Sequence, residues 1–300
     1  MLRLGIVDFD SSHAIEFTRR FNHAGVDADQ RVDGARVVLG CPGTSEMSSE
    51  RIPGFTEQVR AGGVEIVDSP AEMLGRIDAV LVLSLCGSAH LDGVRPFLEA
   101  GIPAYVDKPF ACSLHDAEEM IRLANARNVL LYHSSALPFS AEVLEFQQQA
   151  ERFGPLHGAF TYGPAKRADG NPGLFHYGIH AVALLFSLMG TGCASLTNEY
   201  TDDIEFVTAR WADGRLGTLR GNRSGTTRYG FIAFCESGVV HRTVSTRYAY
   251  RNLCRSIVDA FESGTSPVSH EHNLEEVRFV LAALRSEMKA GERIALSSLT

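Results

Sequence analysis

The most reactive spacing in the chain is the triplet Asp107-Lys108-Pro109, set in IPAYVDKPF directly behind an apolar run. A lysine at the carboxyl end of a buried parallel strand points into the crevice where open α/β sheets bind ligands. Its ammonium is a compact charge that loses affinity for its proton on partial desolvation, so it can hold a substrate hydroxyl and share in proton transfer. The plainer reading is a surface lysine in a loop before a helix. A second group lies in FHYGIHAVALLF, where His176 and His180 stand four apart at the start of an apolar helix and project from one face of its first turns. Two imidazoles there suit a general base with a partner, a pair of metal ligands, or two hydrogen-bonded histidines at a domain interface. The H-E-x-x-H metal pattern needs a Glu where Tyr177 stands, and no third ligand is suitably spaced.

The third group is GIVDFDSSHAIEF at residues 5–17, a strand-to-helix turn where a dinucleotide fold carries G-x-G-x-x-G. Asp8, Asp10 and His13 occupy the three fingerprint positions. Side chains there obstruct a pyrophosphate, and two carboxylates repel it: a like-charge pair at 4 Å costs about 1 kcal/mol in water and about 4 at an effective dielectric of 20. A helix N-terminus returns less than ~2 kcal/mol. Four readings stay open: a nicotinamide cofactor with displaced pyrophosphate and a protonated His13 facing it; a fold that has lost the cofactor; a divalent metal held by the trio; or an acid capping the helix with His13 packed under a loop. The end of the second strand, VVLGCPGTS, has no acid at its tip for ribose hydroxyls and no arginine for a 2′-phosphate, although Thr44, Ser45 and Glu46 lie near. NAD and NADP are not distinguished.

The elements that must position these groups follow from periodicity. Residues 3–7, 35–39, 64–67, 79–85 and 102–106 are short apolar runs of the kind buried on both faces of a parallel sheet, with helical stretches at 12–24 and 89–100 between them. Ser113-x-x-Asp116 resembles a capping box for another helix, and residues 129–133 read as one more strand. This alternation predicts a doubly wound, Rossmann-like α/β domain over residues 1–125. Residues 126–300 read as an α+β domain with an open, mostly antiparallel sheet: strands at 157–162, 204–211, 215–220, 230–236 and 239–244, with turns at Asp213-Gly214 and Ser237-Gly238. Helices at 179–188 and 274–288 are expected to cover it, the second through a stripe of Leu274, Val277, Leu281, Leu284 and Met288. The other face of such a sheet predicts a homodimer or homotetramer.

Composition sets the bounds. Three hundred residues with 45% hydrophobic content suffice for two cores, and a net charge of −8 excludes a nucleic-acid or anionic-membrane partner. The apolar segment 181–189 is less than half the roughly 20 residues that span a bilayer. No signal peptide is read at the N-terminus. Six widely spaced cysteines without C-x-x-C pairing suit buried thiols in a reducing, cytoplasmic setting.

Taken together, these pieces resemble the glucose-fructose oxidoreductase/inositol dehydrogenase (Gfo/Idh/MocA) family. The resemblance runs through CGSAHLDGVRPFLEAGIPAYVDKPFACSLHDAEEM, where Asp107 replaces the Glu of a Glu-Lys-Pro motif. It continues through HYGIH, where His180 matches the His of Asp-x-x-x-His, and through the hairpin FVTARWADGRLGTLRG. It implies hydride transfer between NAD or NADP and a sugar, cyclitol or related polyol, with Lys108 orienting the substrate oxygen and His180 acting as base. His176 stands where that family has its Asp, and a second imidazole, unlike a carboxylate, lowers a partner's basicity when both are charged. By the same resemblance the cofactor is met by Val7, Asp8, Phe9, Asp10, Ser12 and His13, by Cys41, by Ser84, Leu85 and His90, and by Asp107, Lys108 and Pro109. Tyr162, Lys166, Arg167, Asn171, His176 and Tyr177 are the candidates for substrate hydroxyls, the alternative being solvated loop residues. No residue is assigned to a metal.

Overall fold

The computed structural model describes residues 1–299 and divides into two compact units. The first comprises Met1–Ala111, His115–Ser134 and Tyr250–Ser269. Its sheet is built from β1 (Leu2–Val7), β2 (Ala35–Cys41), β3 (Glu65–Ile66), β4 (Ala79–Val82), β5 (Ala104–Val106) and β6 (Leu131–His133). The strands lie in the order β3-β2-β1-β4-β5-β6 and every adjacent pair is parallel. Parallel strands need crossovers, and α1 (His13–Phe21), α2 (Ile52–Ala61), α3 (His90–Glu99) and α4 (Leu114–Arg127) supply four of them. Burial on both faces explains the unbroken apolar runs, with Leu4, Ile6, Val80, Leu81 and Val82 fully enclosed. The chain order reverses between β1 and β4, which opens a crevice at their carboxyl ends.

The second unit comprises Cys112–Leu114, Ser135–Ala249 and the chain from His270 onward. After α5 (Ala141–Gln148) and α6 (Ala150–Phe153) come β7 (Leu156–Pro164), α7 (Ile179–Met189), β8 (Cys193–Tyr200), β9 (Ile204–Trp211), β10 (Leu216–Asn222), β11 (Tyr229–Cys235) and β12 (Gly238–Val244). The sheet order is β12-β11-β7-β10-β9-β8-β13, closed at one edge by β13 (Ile294–Ala295). All pairs among the described residues are antiparallel except β7 with β10. The α/β class, with a Rossmann-like parallel sheet and a second, mostly antiparallel one, is as the sequence predicts. The core under one face joins Val143 and Phe146 of α5 to Leu184 of α7, Phe231 and Ala233 of β11 and Val240 of β12.

Two helices depart from expectation. After β12 the chain forms α8 (Ala249–Ser263), most of which packs in the first unit: Leu253, Cys254 and Ile257 are fully buried and Ser256 Oγ lies 3.0 Å from Tyr132 Oη. The last helix, α9 (His270–Met288), buries a different stripe from the one expected. Val277, Val280, Ala283 and Ser286 form its inner face, while Met288 is 86% exposed. Close approach to β8 selects small side chains: Asn198 N–H donates to Ser286 Oγ at 2.9 Å and Asn198 Nδ2 to the Ala283 carbonyl at 3.2 Å.

Candidate active site

At the end of β1 the backbone takes the left-handed conformation at Asp8, with φ 68°. Glycine is the usual residue for that geometry, and aspartate is one of the few others that tolerates it. The turn of a dinucleotide fold is therefore kept while a side chain is added. One oxygen of Asp8 accepts a hydrogen bond from Ser84 Oγ at the end of β4, and the other crowds Gly43, where a Cβ would lie only 1.8 Å away. Burial pushes the Asp8 carboxyl up to about 6; Ser84 partly offsets this and the charge of Asp10 adds to it.

Asp10 is 2% exposed and clamps two neighbouring loops. Its carboxylate accepts Leu85 N–H at 2.9 Å and Ser45 Oγ–H at 2.6 Å. Neither acid caps α1, whose N-cap is Ser12 and whose first turn is met by Ser11 Oγ. Phe9 is fully buried, against Gly40, and Val7 and Cys41 are each 3% exposed.

His13, the first residue of α1, turns away from both acids. Its Nδ1 lies 2.5 Å from Asp107 Oδ2, its Nε2 3.1 Å from Tyr250 Oη of α8, and its ring stacks on Phe17 at 5.4 Å. Burial pushes the Asp107 carboxyl up, but the charge and hydrogen bond of His13 and the charge of Lys108 outweigh it, so the net shift is downward. Because His13 turns from the two acids toward Asp107 and Tyr250, the trio does not converge on one point. Among the described residues no group of three or more His, Cys, Asp or Glu is placed to hold a metal.

Lys108 follows on a cis peptide to Pro109 and is 8% exposed. Among the described residues its ammonium has no hydrogen bond or ion pair, an arrangement that leaves three donors for a ligand. His90 is fully buried and spans the β4 loop and the Lys108 loop, with Nε2 2.9 Å from the Ser84 carbonyl and Nδ1 3.1 Å from the Phe110 carbonyl. Burial lowers its affinity for a second proton, against the pull of Asp107 and those carbonyls.

In the second unit, His180 lies on the first turn of α7, and its Nδ1 is 2.8 Å from Ser135 Oγ. The ring meets the edge of Tyr229 at 5.8 Å. Tyr229 reaches this position because Gly163 of β7 carries no side chain: a Cβ there would lie 2.4 Å from the Tyr229 ring. Neither Ser135 nor Tyr229 is singled out by the sequence, although Ser135 stands just past an apolar strand, where site residues gather. His176 is not on the helix with His180. The chain makes a short 3-10 turn at Gly173–Phe175 and α7 starts only at Ile179, so the four-residue spacing does not put the two imidazoles on one helical face. His176 meets the ring of Tyr177, at 4.8 Å between centroids, and Tyr177 is 45% exposed.

Two further substrate candidates are engaged elsewhere. Strand alternation puts Tyr162 on the face of β7 opposite Thr161, whose Oγ1 donates to the Ala181 carbonyl of α7, so Tyr162 points away from that helix and lies across Gly230. Arg167 donates to Glu287 at 3.0 and 2.5 Å and to the buried Glu205 at 3.2 Å, and its guanidinium lies 4.3 Å from the centre of the Tyr200 ring. Lys166 is exposed, and Asn171 is buried, accepting from Cys112 Sγ at 3.3 Å.

The crevice over β1 and β4 holds a cleft of about 410 Å³, lined by Asp8, Asp10, Thr44, Ser45, Glu46, Ser84, Ser88 and Asp92, among others. Its position and size fit part of a dinucleotide, and its hydroxyls are suitable donors to ribose and phosphate oxygens. Its charge is the departure: four carboxylates and no lysine or arginine line it.

These features define a Rossmann-type ligand-binding unit joined to an α+β unit. Residues 40–134 match the Gfo/Idh/MocA family model, described as Oxidoreductase family, NAD-binding Rossmann fold. The turn that carries Asp8, Asp10 and His13 lies outside the matched residues. Among solved structures the chain is similar to a probable dehydrogenase from Thermotoga maritima, with 18% identity, TM-score 0.81 and all of both chains covered. It is also similar to scyllo-inositol dehydrogenase from Lactobacillus casei with bound NAD(H) and scyllo-inositol, at 14% identity and TM-score 0.81 with 99% of each chain covered. An oxidoreductase from Agrobacterium radiobacter in complex with NAD+, L-tartaric acid and magnesium shares 16% identity, TM-score 0.77 and 99% coverage of each chain. At these identities the likeness is one of fold.

Proposed function

We propose that this protein is a NAD(P)-dependent oxidoreductase that moves a hydride between the nicotinamide and a carbinol carbon of a sugar, cyclitol or related polyol. The observation that carries this reading is Lys108: a buried ammonium with no hydrogen bond or ion pair among the described residues, just past a parallel strand, within the segment matched to the NAD-binding family. When bound, the nicotinamide supplies the two-electron acceptor or donor. Lys108 would offer its N–H groups to the substrate oxygen and stabilise the negative charge that grows there as the hydroxyl proton is withdrawn. His180, whose Nδ1 lies 2.8 Å from Ser135 Oγ, is the candidate base for the hydroxyl proton. The relatives crystallised with NAD(H) and inositol support the choice of cofactor and substrate class.

Titration with NADH and NADPH followed by calorimetry, then a screen of polyols for hydride transfer, tests the reading. Lys108→Met is expected to reduce turnover at least ~100-fold while leaving cofactor affinity within a few fold, and near-wild-type turnover sinks the assignment. The second reading, a family-fold protein that binds a sugar-like ligand without a nicotinamide, is favoured by the acids at positions 8 and 10 and requires that neither dinucleotide binds.

A homo-oligomer through the second sheet belongs to the same proposal. Leu216, Phe234 and Val239 are 49%, 45% and 65% exposed on the face opposite α7, the kind of apolar surface that a second copy covers. No described helix is long and apolar enough to cross a membrane. The six free cysteines suit a reducing, cytoplasmic setting.

A further inference from the structure

The stretch of chain that carries Lys108 is held on either side by a buried imidazole. After the lysine, His90 at the start of α3 places Nδ1 3.1 Å from the Phe110 carbonyl. Before it, His13 at the start of α1 places Nδ1 2.5 Å from Asp107 Oδ2. Both His13 and Asp107 are buried, so this contact is kept out of water. An ionised carboxylate only accepts hydrogen bonds, so Nδ1 is the donor. The imidazole is fixed from its far side by Tyr250 Oη, 3.1 Å from Nε2, and by its stacking on Phe17. Other polar groups nearby do not take the place of His13. Tyr105 Oη on β5 is 3.5 Å from Asp107 Oδ1 but also donates to the Ser134 carbonyl, at 2.7 Å. Arg20 on α1 lies over the Tyr250 ring and pairs with Glu16.

We propose that His13 is a positioning residue for Lys108: by holding Asp107 from α1 it fixes, one residue upstream, the backbone that aims the ammonium. This rests on the oxidoreductase reading above, in which Lys108 meets the substrate oxygen. A lysine whose ammonium has no internal partner takes no direction from its own head group. Its aim comes from the backbone it leaves, and a misplacement of about 1 Å costs ~100-fold in rate. Holding the Asp107 carboxylate on the α1 side also keeps it off the neighbouring ammonium, so the three donors of Lys108 stay open to substrate. His13 touches neither substrate nor cofactor in this role. It acts through Asp107.

The experiment has two readouts on the intact protein. The chain has three lysines, Lys108, Lys166 and Lys289, so lysine-only isotope labelling gives three side-chain NMR signals, and Lys108→Met assigns the one in question. His13→Leu is expected to move the Lys108 signal and leave the other two in place. In steady-state turnover of scyllo-inositol with NAD+, or of whichever polyol the screen finds active, His13→Leu is expected to lower kcat at least ~10-fold with KM within about twofold, measured well below its Tm. His13→Asn keeps an N–H for Asp107 and is expected to restore kcat to within about threefold and the Lys108 signal to its place. Asp107→Ala removes the same contact from the other side, so the test stands where His13→Leu does not fold, and in that background His13→Leu should change kcat no further. An unmoved Lys108 signal together with wild-type kcat in His13→Leu overturns the proposal and leaves the oxidoreductase reading standing, provided Lys108→Met is inactive. Equal losses in His13→Leu and His13→Asn, or losses that multiply in the double variant, also overturn it. Full turnover in Lys108→Met overturns both.

Discussion

His13 Nδ1 and Asp107 Oδ2 lie 2.5 Å apart, joining the first residue of α1 to the residue just past β5, and both side chains are at most 5% exposed. Two departures from the family pattern, a histidine at the third fingerprint position and an aspartate in place of Glu beside the reactive lysine, thus meet in one contact. Breaking a buried pair by removing one partner costs about 3–5 kcal/mol, because the other charge is left uncompensated. His13→Ala, which leaves the buried Asp107 carboxylate without this partner, is expected to lose stability on that scale, and the double variant His13→Ala/Asp107→Asn to lose much less than the sum of the single losses. Additive losses in urea unfolding disprove the coupling. The acid limb follows from the sign of the shift. The folded-state pKa of Asp107 is lowered, so its contribution is full above the ordinary carboxylate range and disappears as pH falls through the lowered value. Asp107→Asn should flatten the loss of Tm in acid.

The opposite sign holds at Asp8. Its pKa rises from 3.8 to about 6 on folding, so the ionised carboxylate destabilises the fold above about pH 6, and the cost vanishes below the unfolded value. The shift corresponds to about 3 kcal/mol at most. Asp8→Asn is expected to raise stability at about pH 8 by one to ~3 kcal/mol and to change nothing at about pH 3.5, where both forms are neutral. Parallel Tm–pH curves for the two proteins contradict this.

At His180 the partner is a hydroxyl, without the charge that a carboxylate would bring. Ser135 orients the ring but, as a hydroxyl that can donate or accept, adds no negative charge to raise its basicity. Ser135→Ala is expected to lower kcat about tenfold with KM little changed, because an orienting contact is lost and no binding contact is. Ser135→Asp should move the acid limb of the kcat/KM profile upward, through the charge it adds. An unchanged limb in Ser135→Asp removes His180 as the titrating base.

Much of the first unit was legible because parallel strands buried on both faces leave continuous apolar runs and charged residues at their ends, as at Lys108. The turn at Asp8 was legible as a departure but not in its consequence: the partners of Asp8, Asp10 and His13 stand 76, 35 and 94 positions away. Local pattern carries no record of contacts at that distance. The His176/His180 pairing failed for a local reason: Gly173, at φ 56°, lets the chain turn and α7 begins only at Ile179, so a spacing of four carries no helical geometry there. Tyr162 failed through strand alternation, which a polar-loop reading of its neighbourhood overlooks. The stripe on α9 was rotated because close packing on β8 favours Ala283 and Ser286 over the larger leucines that periodicity picks out.

Arg167 shows how a plausible substrate residue is absorbed by structure. Glu205 is fully buried and accepts from Arg167, from Arg223 at 2.6 Å and from Asn198 at 2.9 Å, while both guanidiniums lie over the Tyr200 ring, at 4.3 and 4.2 Å. Removing Glu205 takes from both arginines the counter-charge they share. Glu205→Ala is therefore expected to destabilise the protein by about 3–5 kcal/mol. Arg167 keeps part of its surface in water and has Glu287 as a second partner, so Arg167→Ala should cost less, about 1–3 kcal/mol. Because that guanidinium is spent on two carboxylates, Arg167→Ala is expected to leave KM for the polyol within about twofold, measured well below its Tm. A KM raised tenfold or more with stability unchanged would return Arg167 to the substrate site and show that its ion pairs open when substrate arrives.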